Sequence, residues 1–84
     1  MMGRQRVKLR ELRKILRSFD VSEDVAAGKG SHTVFWKVFP EGTFSYPVPT
    51  SQSDVHPKYV KGCRRQFRLL PEDGVSDDEF FSRR

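Results

Sequence analysis

The segment Lys29-Gly30-Ser31-His32-Thr33-Val34-Phe35 sets one of the chain's two histidines beside a lysine, a glycine and a hydroxyl, at the entrance of an apolar run. Histidine titrates near neutral pH, so a ring held at a strand mouth can take up and release a proton under physiological conditions. Gly30 tolerates backbone angles that a Cβ resists, and this lets an anionic group descend onto the local N–H groups. Lys29 adds positive charge at the same spot. The combination suits chemistry at a phosphate. A hydrogen-bonded or merely exposed structural histidine is the competing explanation of the same residues.

These residues need a scaffold, and the flanking pattern describes one. Leu9, Leu12, Leu16 and Phe19 recur at helical spacing between Arg6 and Phe19, with Val7 and Ile15 beside them and Arg10, Arg13, Lys14 and Arg17 on the other side. Val21 to Gly28 is weakly patterned and suits a short edge strand. Ser31 to Phe39 is β-branched and aromatic, Pro40-Glu41-Gly42 makes a turn, and Thr43 to Val48 alternates, which predicts a hairpin. On its first strand His32, Val34, Trp36 and Val38 share one face, and Thr33, Phe35, Lys37 and Phe39 the other. Both faces are apolar. One must cover the helices, so the other offers an aromatic surface beside His32 to a base or a protein, unless Trp36 packs on Tyr46 or Phe44 across the hairpin.

A polar loop of about ten residues follows the proline-rich end of the hairpin, and His56-Pro57 then opens a second helix. From Tyr59 to Leu70 this helix sets Val60, Cys63, Phe67 and Leu70 inward, and Lys61, Arg64, Arg65 and Arg68 largely outward, before Pro71 stops it. Gly62 inside it argues for close packing or close ligand approach. In the tail, Ser76 is a candidate N-cap for a short helix with Asp77, Asp78 and Glu79 in its first turn and Phe80-Phe81 to dock.

With 84 residues the chain holds one domain and a shallow site. Its seven phenylalanines, two tyrosines and one tryptophan supply enough apolar surface to fold. A single cysteine, Cys63, rules out an intramolecular disulfide and suits a reducing compartment, and neither a signal peptide nor a membrane span is visible, so a cytoplasmic location is expected. The net charge of +5 is uneven. Residues 1–70 carry 14 Lys/Arg against 6 Asp/Glu, and residues 71–84 carry 2 against 5, so a basic body (+8) precedes an acidic tail (−3). Such a body attracts polyanions, nucleic acid above all.

The order helix, strand, strand, strand, helix, with Lys29-Gly30-Ser31-His32 and Phe35 at the second strand, resembles the HicA family of bacterial type II toxins. These are small, ribosome-independent mRNA interferases with a double-stranded-RNA-binding-like fold. The likeness extends through Tyr46-Pro47-Val48-Pro49 and Lys61-Gly62, over roughly residues 6–70. Thr33 and Val48 depart from the family pattern, which often has histidine at these places. The resemblance implies that His32 is catalytic, that RNA is the substrate, and that a cognate HicB-like antitoxin neutralises the protein by covering the His32 face.

RNA brings its own nucleophile, the 2′-hydroxyl, so one positioned histidine can act as its general base, a contribution of about 10²- to 10⁴-fold. It can equally serve as acid for the leaving 5′-oxygen. Lys29, Gly30 and Ser31 are expected to hold the phosphate, and Lys37, Lys61, Arg64 and Arg65 to clamp the strand. No cofactor or metal is expected, since His56 and Cys63 lack further ligands nearby. The expected architecture is α+β, in the order α-β-β-β-α, with two helices on one face of a three-stranded antiparallel sheet. Residues 1–70 are the toxin-like domain and 71–84 an acidic extension packed on it. A non-catalytic RNA-binding module and a protein-interaction domain of the same fold are the alternatives.

Overall fold

Both main helices are amphipathic, and each ends where the chain turns left-handed without a glycine. A computed structural model describes residues 6–25 and 30–84. The first helix, α1, spans Leu9–Ser18 and is preceded by a two-residue strand, β1, at Val7–Lys8. The Glu11 carboxylate accepts from the Lys8 N–H at 2.9 Å, satisfying one of the donors that a helix start leaves open. At the other end Asp20 sits at φ 65°, so its N–H reaches the Arg17 carbonyl (3.0 Å) and the Val21 N–H reaches that of Leu16 (2.9 Å). This is a Schellman closure with aspartate at the position glycine usually takes.

Three strands follow and form one antiparallel sheet: β2 at Ser22–Asp24, β3 at His32–Phe39 and β4 at Gly42–Pro49, in that spatial order. The hairpin register pairs His32 with Pro49 and Phe35 with Tyr46, and β2 pairs Ser22 with Trp36 and Asp24 with Val34. Burial shows which face meets the helices: Thr33 and Phe35 are 1% exposed and Val48 is fully buried, whereas His32 and Val38 are exposed. The protein is thus an α+β fold with its helices over one face of a three-stranded sheet.

The ten-residue loop expected after the hairpin contains a further strand, β5, at Asp54–Val55. It pairs antiparallel with β1, joining Val7 to Val55, both buried, while Arg6 and Lys8 reach the Asp54 carboxylate at 3.1 and 3.4 Å. Two residues are too few for alternation to announce a strand, and here only the partner makes the segment extended.

The second helix, α2, runs over Pro57–Gln66, shorter than the Tyr59–Leu70 expectation at its far end. His56 is its N-cap: its Nδ1 accepts from the Lys58 N–H at 3.0 Å, with Pro57 in the first turn. Arg68 at φ 60° closes the helix, with the Leu69 N–H on the Arg64 carbonyl at 2.7 Å. Pro71 therefore does not stop this helix; it opens a single 3-10 turn at Pro71–Asp73. A last helix, α3, spans Asp77–Phe81, capped by Ser76 Oγ on the Glu79 N–H at 3.0 Å. Its Phe80 is fully buried and stacks on Phe19, ring centroids 6.0 Å apart. One core therefore joins Leu12, Ile15 and Leu16 of α1, Phe35 and Val48 of the sheet, Val60 and Cys63 of α2, and Phe80.

Candidate functional site

His32 is the first residue of β3 and points to the helix-free side of the sheet, exposed. Its Nδ1 lies 3.1 Å from the Ser31 hydroxyl, a contact that orients the ring and leaves Nε2 as the other ring nitrogen. The strand mouth is held firmly, since the Thr50 N–H donates to the Ser31 carbonyl at 2.7 Å and continues the β3–β4 ladder. Gly30 adopts φ +67°, and among the described residues nothing lies within 4 Å of where its Cβ would stand. The turn therefore needs glycine for its backbone, and no described residue blocks a ligand atom from approaching that backbone. Lys29, assigned to the phosphate by sequence, lies outside the described residues.

Beneath this point, on the core side, is a polar cluster. The Glu23 carboxylate on β2 accepts from Arg13 Nε (2.9 Å to each oxygen) and from the Thr33 hydroxyl at 2.6 Å. Thr33 is almost fully buried, so its hydroxyl requires such a partner. The cluster ties α1, β2 and β3 together directly behind His32. Sequence reading missed it, because Thr33 reads as an ordinary β-branched strand residue and Glu23 sits in a stretch without periodicity.

The cations expected to clamp a strand are not gathered around the histidine. Lys37 projects from the core-side face, half-buried, with its Nζ on the Phe19 carbonyl at 2.8 Å. Arg64, expected on the outer face of its helix, is 6% exposed. Its Nε donates to the Leu69 carbonyl (2.8 Å), Nη2 to the Val75 carbonyl (3.0 Å) and Nη1 to Asp77 (2.6 Å), and the guanidinium lies 4.6 Å from the Phe80 ring centroid. Arg64 thus holds the tail onto α2 and offers no free donor fork at the surface, which corrects its placement. The physical reason is the early turn at Arg68, which folds the chain back over that side of the helix.

Lys61 and Arg65 remain exposed on α2. They border a groove of about 850 Å³ between that helix and the tail, with Leu70, Pro71, Asp78 and Phe81 among its other walls. His32 is not part of this groove. The sheet lies between the histidine and these two cations, so the sequence-nominated residues fall on two sides of the molecule.

Two other residues weighed as chemical candidates have structural positions. His56 caps α2 with its Nδ1. Burial pushes the Cys63 thiol up to about 12, so it is a neutral core group at physiological pH. Gly62 answers to packing rather than a ligand: a Cβ there would stand 2.0 Å from the Tyr46 hydroxyl oxygen.

The exposed sheet face carries His32, Val34, Trp36 and Val38 in a row along β3. Trp36 is flanked across the strands by Ser22 and Ser45, so it packs on neither Tyr46 nor Phe44, whose side chains belong to the core-side face. Compared with known proteins, the chain matches no family model, no curated protein and no solved structure. Among the described residues no helix is long and apolar enough to cross a membrane.

Proposed function

We propose that this chain is a HicA-like toxin of the cytoplasm, with a double-stranded-RNA-binding-like fold, that cleaves mRNA with His32 as its proton-transfer group. The observation that carries the reading is the exposed His32 ring, its Nδ1 set by Ser31, at a firmly bonded strand mouth beside the left-handed Gly30. Nε2 of His32 takes the proton of the ribose 2′-hydroxyl as that oxygen attacks the adjacent phosphorus. The imidazolium so formed, or water, protonates the leaving 5′-oxygen as its bond to phosphorus breaks, and the products are a 2′,3′-cyclic phosphate and a free 5′-hydroxyl. The backbone at Gly30 and Ser31 receives the phosphate, with Lys29 beside it in sequence. A HicB-like antitoxin covers the helix-free face.

Expression of the chain alone should arrest growth and leave cyclic or derived 3′-phosphate ends on mRNA. His32→Ala should lower cleavage by about 10²- to 10⁴-fold while His56→Ala, which removes a helix cap and an edge contact with Tyr59, retains it. Equal toxicity of wild type and His32→Ala, or cutting of a strand that lacks the 2′-hydroxyl, defeats the mechanism.

One observation favours a second reading, a non-catalytic binding module. Lys37 and Arg64 are drawn into the fold, and Lys61 and Arg65 lie across the sheet from His32. RNA that binds tightly and is never cut would decide for it.

A further inference from the structure

Trp36 stands apart from the hydrophobic core. It is the chain's one tryptophan, half-buried at the centre of the helix-free sheet face. Among the described residues it has no aromatic or cationic partner, unlike Phe19, Phe39, Phe44 and Phe80, which all stack or lie under a guanidinium. Its cross-strand neighbours are two serines, both exposed and both too short to cover an indole ring. The indole lies outside the hydrophobic core, and the part of it left open on this face can take a stacked base.

Its register relates it to His32. The two residues share a face of β3 and stand four positions apart, which is about 13 Å along a strand. That is roughly the reach of two nucleotides of an extended single strand. Resting on the reading of His32 as the group acting at the scissile phosphate, we propose that Trp36 stacks a base flanking the cleavage site and so sets where the strand lies on the sheet. The occupant is a single-stranded RNA.

Three observations favour that occupant over a protein. The edge of β4 is poorly suited to accept an added strand. Thr50 bonds inward to Ser31, so by alternation Pro47 and Pro49 occupy outward-facing positions, where proline has no N–H to offer. The molecule as a whole carries a net charge of +5, which attracts a polyanion by long-range steering. An aromatic ring on an open sheet seats any base, since every base has a π-face.

The single tryptophan makes the test direct. The His32→Ala protein, which keeps the platform and does not cut, is titrated at low salt with a fluorescein-labelled oligoadenylate, following anisotropy, and with the unlabelled strand, following indole emission. Saturable quenching that parallels the anisotropy is expected. Trp36→Ala should weaken binding roughly 5- to 150-fold, while Trp36→Phe should retain most of the affinity. Circular dichroism of each variant verifies that it is folded. In the cutting protein, an abasic nucleotide placed in turn at each position of the substrate should slow cleavage at one flanking position in the Trp36 protein and at none in Trp36→Ala.

RNA that binds and is cut with unchanged indole emission, and with Trp36→Ala equal to wild type, overturns the stacking role and leaves the nuclease reading standing. A wild-type protein that binds no RNA at low salt overturns both. Emission that responds to protein concentration alone assigns the face to a second copy and overturns the proposal.

Discussion

Replacing Arg64 by methionine separates a structural arginine from an RNA-binding one. Methionine keeps the aliphatic stem in the core and removes every donor. Two backbone carbonyls, of Leu69 and Val75, then lose charged donors at 2.8 and 3.0 Å. Each such bond to a charged donor is worth about 1.5–3 kcal/mol, with the Leu69 bond buried and the Val75 bond part-buried. The ion pair with Asp77 adds less than about 1 kcal/mol, because that carboxylate is 72% exposed and screened. The guanidinium's position over Phe80 adds a further fraction.

The expected loss is therefore about 3–6 kcal/mol, against roughly 4–13 kcal/mol of total stability for a domain of this size. At about 4 °C or more per kcal/mol, the melting temperature should fall by at least ~12 °C. Asp77→Asn should shift it by a few degrees at most. Thermal and urea unfolding followed by circular dichroism measure both changes. If Arg64 instead contacted RNA, Arg64→Met would leave stability within about 0.5 kcal/mol of wild type, a typical surface value, and reduce the salt dependence of RNA binding. That pair of results would refute the account of the clasp.

Gly62→Ala should destabilise the protein even though alanine favours the helix by about 1 kcal/mol, because its Cβ would stand 2.0 Å from the Tyr46 hydroxyl. A double-mutant cycle with Tyr46→Ala should show the two changes compensating. Asp20→Gly should stabilise by about 0.5–1 kcal/mol in denaturant melts, since φ 65° costs aspartate what glycine does not pay. The Cys63 thiol, raised by burial from 9.0 to about 12, should resist iodoacetamide in the native state and react at the rate of unfolding. Because its folded value lies above its unfolded one, the stability tied to the neutral thiol is complete below pH 9 and declines as pH rises toward about 12. A Cys63→Ala variant should lack that part of the alkaline decline.

Residue periodicity by itself determined that α1 and α2 exist, that residues near 31–48 form a hairpin, and that His32, Val34, Trp36 and Val38 lie in one row. Those features follow from local repeats of 3.6 and 2, which need no knowledge of partners. The helix cap at His56 was equally local, being a proline-led start. Which face of the hairpin would be open was not local, since both carry large apolar groups, and only the seating of Phe35 and Val48 against the helices decided it. The two-residue β1 and β5 exist through each other alone.

The same distinction governs the charged residues. Arg64 and Lys61 read alike on a helical wheel. The left-handed Arg68 folds the tail over one of them, turning a surface cation into a buried clasp, and leaves the other in solvent. The end of α1 at Phe19 was legible from the loss of helical spacing, whereas arginine at the left-handed position 68 carries no glycine-like signal, so the end of α2 was not. Local sequence thus named the residues that could do chemistry, and the long-range return of the chain determined which of them remain at the surface, because burial depends on what packs from elsewhere.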